Sequence, residues 1–133
     1  MKIFVDTNIF LDLILQREHY DKSLLILNAI EKKLFSGVVL DISILNIDYI
    51  AKKQIKDIKD FLKLINKQFE VVGATNAMIE DALEIDNNDL EDNLQYIVAK
   101  HLDCELIITN DKRFLVREVV ILSSSEFVDK YLS

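Results

Sequence analysis

The chain has 133 residues, half of them apolar, and a formal net charge of −7 at neutral pH. We therefore predict a single domain over residues 1–133, long enough to bury a hydrophobic core. The acidic balance argues against a protein that coats nucleic acid through positive charge, but it leaves nucleic acid open as a substrate.

The one cysteine, Cys104, excludes an internal disulfide. It stands beside an apolar run and belongs to no cysteine or histidine pattern typical of a metal site, so we interpret it as a packing residue. No apolar stretch approaches the roughly 20 residues of a membrane span. We therefore expect a cytoplasmic protein that makes no membrane contact.

Apolar segments alternate with amphipathic ones along the whole chain, which predicts strands that alternate with helices. The predicted strands are 2–6, 38–40, 69–72, 105–109 and 119–122. The predicted helices are about 9–16, 21–33, 44–51, 57–66, 76–85, 90–102 and 125–132, and four of them follow a candidate N-cap: Ser43, Thr75, Asp89 and Ser124. Strands joined by helices imply a three-layer α/β/α fold with a central, mostly parallel five-stranded sheet.

Four aspartates belong to the same edge of this predicted sheet. Asp6 ends the first strand, and Asp111 follows the fourth. Asp92 lies in the first turn of the helix before the fourth strand, and Asp48 lies in the second turn of the helix after the second strand. In a parallel sheet, strand ends and helix starts meet at the carboxyl edge, where open α/β sheets bind ligands.

A group of carboxylates needs a counter-charge, because two anions 4 Å apart repel by about 4 kcal/mol at an effective dielectric constant of 20. Oxygen ligands without histidine or cysteine select a hard ion, Mg²⁺ or Mn²⁺. Such ions activate water and stabilise charge on a phosphodiester. Each aspartate alone is more typical of a structural role, a turn or helix start for Asp6, Asp92 and Asp111 and a solvated helix face for Asp48, so the interpretation depends on the whole set.

Four segments together resemble one known family along nearly the whole chain. The chain is similar to PIN-domain ribonucleases, and within them to the small VapC-like toxins of bacterial toxin–antitoxin pairs. The segments are Asp6-Thr7-Asn8 after the first strand, Ile47-Asp48-Tyr49, Glu91-Asp92 with Ala99, and Thr109-Asn110-Asp111 with Phe114.

The resemblance implies a PIN-like fold and a metal-dependent endoribonuclease. It implies that Asp6, Asp92 and Asp111 bind Mg²⁺ or Mn²⁺, and that Asp48 assists at a position where many members have Glu. Asn8 and Thr109 would orient carboxylates or water. The implied partners are an RNA substrate, a second copy in a homodimer, and an antitoxin that masks the acidic groove.

Two other functions remain open on the sequence. Asp6 is a candidate nucleophile of a phosphatase or phosphotransferase, although Asn8 stands where the haloacid dehalogenase type has a second aspartate. A non-catalytic PIN-like binding module is the other alternative. Glu91 also competes with Asp92, because neighbours on a helix point about 100° apart and both are not expected to face one ion.

Two further features have a structural and a functional interpretation. Lysines follow Asp48 in a dense run that is typical of a solvated helix face but is also suited to RNA phosphates. An apolar group near the first helix is expected to be core rather than a partner surface. The lysines are Lys52, Lys53, Lys56, Lys59 and Lys63, and the apolar group is Ile9, Phe10, Leu13 and Ile14.

Overall fold

The computed structural model describes residues 1–87, 89–114 and 118–133. Its strands are β1 (Lys2–Val5), β2 (Ser36–Leu40), β3 (Glu70–Val72), β4 (Leu106–Ile108) and β5 (Val120–Leu122). They form one sheet in the order β3-β2-β1-β4-β5, and every neighbouring pair is parallel. The predicted five-stranded parallel sheet is thus confirmed.

Helices cover both faces of the sheet. They are α1 (Thr7–Ile14), α2 (Tyr20–Glu31), α3 (Asp41–Ala51), α4 (Ile58–Gln68), α5 (Asn76–Leu83), α6 (Leu90–His101) and α7 (Ser124–Phe127), which continues as a π-helical segment, Val128–Leu132. Ile3 and Val5 of β1 pack into one apolar cluster with α1 to α4 and the C-terminal helix, whereas Phe4 packs into a second cluster with α5 and α6. This alternation along a strand confirms the α/β/α layers.

The order of the strands puts a switch of direction between β1 and β4. The chain builds β1, β2 and β3 outwards on one side, then crosses to place β4 on the other side of β1. Such a switch opens a crevice at the carboxyl ends of the two central strands. The Asp6 backbone N–H donates to the Ile108 carbonyl at 3.0 Å, so Asp6 lies beside the end of β4.

Two of the predicted N-caps are confirmed and two are wrong. Thr75 accepts from the Met78 N–H at 3.2 Å, and Asp89 accepts from the Asp92 N–H at 3.1 Å. Ser43 does not cap α3, because β2 runs directly into a helix that begins at Asp41.

The two serines predicted as caps are instead buried inside the structure. Ser43 accepts a hydrogen bond from the Thr7 hydroxyl at 2.7 Å, which joins α3 to α1. Ser124 is the first residue of α7, and the cap is its neighbour Ser123, which forms a capping box with Glu126. The Ser124 hydroxyl donates to Asn110 Oδ1 at 3.1 Å, so both serines make tertiary contacts and neither is an N-cap.

Burial decides whether the apolar group near α1 and Cys104 belong to the core. Ile9 and Phe10 are fully buried, and Leu13 and Ile14 are partly buried against the same core cluster, which confirms that this group belongs to the core. Cys104 is buried in the cluster under α6, and burial raises the pKa of its thiol to about 11. Within the described ranges, no helix combines the length and apolar character that a membrane crossing requires.

Candidate active site

A cavity of about 280 Å³ opens at the switch between β1 and β4. Its wall is formed by the start of α1, the outer face of α3, the start of α6 and the segment after β4. Five of its residues are acids: Asp6, Asp89, Glu91, Asp92 and Asp111. The other residues that line it are Thr7, Asn8, Leu11, Asn46 and Ile50.

Asp6 forms the buried back wall of this cavity, with only 3% of its surface exposed. One carboxylate oxygen accepts from Gln95 Nε2 at 2.8 Å, and the other accepts from the Thr109 hydroxyl at 2.6 Å. Burial raises the pKa of Asp6, although these two hydrogen bonds act in the opposite direction. The side chain is thus fixed in one orientation by donors from α6 and from the end of β4.

Asp89, Asp92 and Asp111 form a tighter group at the mouth. Each offers a carboxylate oxygen, and the three oxygens lie within 4.8 Å of one another. Asp89 and Asp92 meet because Asp89 caps α6 and Asp92 lies in its first turn. Asp111 joins them because it follows β4 by three residues.

The pKa values of two of these carboxyl groups, Asp92 and Asp111, are shifted in opposite directions. Burial, the charge of Asp6 and a hydrogen bond to Asp111 raise the pKa of Asp92 to about 8. Burial also acts to raise the pKa of Asp111, but hydrogen bonds from the Arg113 backbone and from Asp92 outweigh it and lower the pKa. In the absence of a cation, a proton on Asp92 therefore offsets part of the repulsion.

These residues fit a hard divalent cation. Within the described part of the chain, the buried oxygen Oδ2 of Asp92 has no hydrogen-bond partner, although it lies among other carboxylates. An unpartnered buried oxygen is costly and needs a ligand. The donor set consists of carboxylate oxygens without histidine or cysteine, which is the chemistry of oxygen-preferring metals.

Glu91 and Asp92 both line the cavity, although the sequence led us to expect that only Asp92 would face an ion. Both reach it because the cavity surrounds the first turn of α6. Glu91 accepts from Asn46 Nδ2 at 2.8 Å, and burial together with the charge of Asp6 raises its pKa. Only Asp92 belongs to the close group of three carboxylates.

The structure does not bring Asp48 to this cavity. Among the residues that the structure describes, α3 contributes Asn46 and Ile50 to the wall. Asp48 lies two positions from each of them, about 200° around the helix. The geometry therefore gives no support to the assisting role predicted for Asp48.

The two predicted orienting residues lie in different places. Thr109 contacts the Asp6 carboxylate directly. Asn8 lines the cavity, but its side-chain oxygen accepts from the Asn110 N–H at 3.4 Å. Asn8 thus connects α1 to the segment after β4, beside the acids.

Sequence reasoning missed Gln95 and Asn110, and it assigned Asp89 only a cap. Gln95 is fully buried one turn after Asp92, and a polar residue on that apolar face was a usable signal. Asn110 donates to Asp12 at 2.9 Å and accepts from the backbone N–H and the hydroxyl of Ser124. No local pattern indicates that last network, because it joins three distant segments.

The fold and the site define a class: a parallel α/β protein with an oxygen-rich acidic centre at the switch point of its sheet. The family model for the PIN domain matches residues 2–113. The chain belongs to the PIN-domain family, which confirms the resemblance predicted from the four acidic segments.

Relatives and solved structures agree with this assignment. Ribonuclease VapC1 of Aquifex aeolicus (strain VF5) is 30% identical over 98% of this chain and 95% of its own length. A toxin–antitoxin complex from Klebsiella pneumoniae matches with a TM-score of 0.69 and 16% identity, covering 92% of this chain and 97% of the other. VapBC2 from Rickettsia felis, bound to a DNA fragment from its promoter, matches with a TM-score of 0.66 and 16% identity, covering 92% of this chain and 98% of the other.

Proposed function

We propose that the protein is an endoribonuclease that hydrolyses phosphodiester bonds with Mg²⁺ or Mn²⁺ and acts as the toxin of a toxin–antitoxin pair. The observation that carries the proposal is that four aspartates line one cavity. They lie just after β1, at the start of α6 and just after β4: Asp6, Asp89, Asp92 and Asp111. Membership of the PIN-domain family and the similarity to a ribonuclease support it. We also propose that the protein acts in the cytoplasm, where an RNA substrate is available.

Each acid then has a defined part. Asp92 and Asp111 would hold the cation, Asp89 would complete the close group, and Asp6 would face it from the back wall. When bound, Mg²⁺ or Mn²⁺ would activate a water and neutralise charge on the phosphodiester. Thr109 and Gln95 keep the Asp6 carboxylate in place.

The phosphatase alternative requires an accessible nucleophile at Asp6. The carboxylate is almost completely buried, and both of its oxygens already accept hydrogen bonds. A nucleophile needs a free oxygen within reach of the substrate. The geometry therefore favours a positioned carboxylate over a covalent phosphoryl acceptor.

An antitoxin is proposed as the protein partner. Apolar side chains lie exposed along α3, with 69% of Leu45 and 68% of Tyr49 accessible, and Ile50 on the same helix reaches the rim of the acidic cavity. A partner that covers this face would bury apolar surface and place a Lys or Arg against the acids. A homodimer, which the resemblance implies, stays a prediction that light scattering can test.

Cleavage of RNA by the purified protein tests the proposal. We expect cleavage with Mg²⁺ or Mn²⁺ and none with a chelator. Asp6→Asn and Asp92→Asn should each lower the rate by more than about 100-fold, since even outer-shell changes at metal sites cost about 10- to 100-fold.

Asp48→Asn is the matched control, because it removes one carboxylate from α3 outside the cavity. We expect its rate to stay close to that of the wild type. Equal cleavage by all the preparations, with or without metal, would reject the proposed activity and point to a contaminating nuclease or to a non-catalytic module.

A further inference from the structure

A second, larger groove of about 880 Å³ adjoins the acidic cavity. It runs between the α1–α2 connection, the segment after β4, and the start of α7. Thr109 and Asp111 belong to its wall, and Asp111 also lines the acidic cavity. The two cavities therefore lie next to each other, with Asp111 between them.

Two exposed cations border the groove, Arg17 from the α1–α2 connection and Lys112 from the segment after β4. Neither forms an ion pair anywhere in the described ranges. Both charges are thus available to an anionic ligand. Arginine suits phosphate especially well, because its planar guanidinium can donate two parallel hydrogen bonds.

The position of Arg17 is fixed by the end of α1. The Arg17 N–H donates to the Asp12 carbonyl at 2.9 Å, and the Gln16 N–H donates to the Leu13 carbonyl at 3.2 Å. With Gln16 in the left-handed region at a φ of 50°, this pair of bonds is a Schellman motif. The backbone that presents Arg17 is therefore ordered before any ligand arrives.

The groove also contains four acids, Asp12, Glu18, Asp111 and Glu126. Asp12 is buried and accepts from Asn110 Nδ2 at 2.9 Å. Glu126 accepts from the Ser123 N–H at 2.9 Å, and that bond lowers its pKa. Asp111 would face the cation of the proposed site and lies 3.4 Å from Arg113 Nε. These contacts position the carboxylates but leave their negative charges in place, so Arg17 and Lys112 are the two groups through which the groove would contact an anionic ligand.

We propose that this groove binds the sugar-phosphate backbone of the RNA strand next to the scissile bond, with Arg17 and Lys112 contacting its phosphates. The inference depends on the proposed function for the identity of the strand. The alternative contacts for the strand are the lysines of α4, Lys59 and Lys63, which do not belong to the wall of this groove.

The test compares two charge-matched double variants, Arg17→Ala with Lys112→Ala in the groove and Lys59→Ala with Lys63→Ala on α4. Binding of a short fluorescein-labelled single-stranded RNA is measured by fluorescence anisotropy with Mg²⁺ at several KCl concentrations. An Asp6→Asn background prevents cleavage and keeps the Asp89, Asp92 and Asp111 group.

The groove variant should bind RNA about tenfold more weakly or worse at low salt, since charge-assisted contacts are the strong ones. Its slope of log affinity against log salt should be shallower by about 1.4, because each phosphate contact of a single strand contributes about 0.7. The charge-preserving pair Arg17→Lys with Lys112→Arg should retain the wild-type slope.

An unchanged slope in the groove variant, or a larger loss in the α4 variant, would overturn the proposal. In a background with Asp6 intact, the groove variant should raise KM for RNA cleavage more than it lowers kcat. If the wild type does not cleave RNA at all, the proposed activity fails, and the anisotropy measurement still decides the groove by itself. If the protein without groove substitutions does not bind the labelled RNA, the proposed role of the groove is rejected.

Discussion

At the scale of single residues, the site depends on how a buried carboxylate is kept in place. An isolated carboxylate away from water is costly unless it is paired and hydrogen-bonded. Asp6 avoids this cost through two donors, Gln95 and Thr109, one for each of its oxygens. These donors fix the direction in which Asp6 faces the cavity, so they would act on the proposed metal site without belonging to the close group of acids.

Thr109→Val tests this positioning. The substitution removes the 2.6 Å hydrogen bond to Asp6 and changes the side-chain volume little. We expect the affinity for Mn²⁺, measured by calorimetry, to fall by about 10- to 100-fold, as outer-shell changes at metal sites do. Thr109→Ser keeps the hydroxyl and should bind Mn²⁺ nearly as the wild type does. Equal affinities for all three proteins would contradict a positioning role.

At the scale of elements, local patterns predicted whether a segment forms a strand or a helix better than they predicted the residue at which it begins. The predicted strands and helices are all present, because apolar periodicity is a property of the segment itself. Thr75 and Asp89 were identified as caps because each precedes an amphipathic segment. Ser43 was misassigned because β2 passes into α3 without a turn, and that junction has no signature in composition.

A close approach between elements explains the glycine inside β2. A Cβ at Gly37 would lie 2.6 Å from the Phe69 ring and 2.9 Å from Ile30 Cδ1, both in the core. We expect Gly37→Ala to lower the free energy of unfolding by about 1–3 kcal/mol, the usual cost of overpacking. Urea denaturation followed by circular dichroism measures the change.

Gly73→Ala serves as the control for this substitution. Gly73 is exposed, and the nearest atom to its added Cβ would be the Asp41 carboxylate at 3.1 Å, which belongs to a side chain at the surface. Its effect should be clearly smaller. If both variants denature at the same urea concentration as the wild type, the packing argument for Gly37 is wrong.

At the scale of the whole molecule, the sequence predicted the parallel sheet but not the order of its strands. The placing of Asp6, Asp92 and Asp111 at one edge followed from the alternation of strands and helices alone. The bond between Gln95 and Asp6 joins residues 89 positions apart, which meet because α6 packs against β1. The large groove likewise depends on where three connections meet, so neither feature could be predicted from local patterns.

The raised pKa of Asp92 makes the stability of the metal-free protein depend on pH. The carboxyl titrates near its ordinary pKa of about 4 in the unfolded chain and at about 8 in the folded one. Between these values the folded state holds a proton that the unfolded state has released. Its stabilising effect is complete below pH about 4 and is lost as pH rises through about 8.

We therefore expect the free energy of unfolding, measured in a chelator, to fall between pH about 5 and 8, with a slope of at most about 1.4 kcal/mol per pH unit from this group. Asp92→Asn should flatten the decline, whereas Asp48→Asn should leave it unchanged. Saturating Mn²⁺ should raise stability most at the alkaline end, where the carboxylates are free to bind it. A decline that is identical in the Asp92→Asn protein would assign the pH dependence to another group.

The most direct test of the account is a crystal of the protein soaked in Mn²⁺ and measured at an X-ray wavelength that gives manganese an anomalous signal. The account predicts an anomalous peak in the acidic cavity, within coordination distance of Asp92 and Asp111 and absent from crystals of Asp92→Asn. A cavity without a peak in fully soaked wild-type crystals, or manganese bound only elsewhere on the surface, would contradict it.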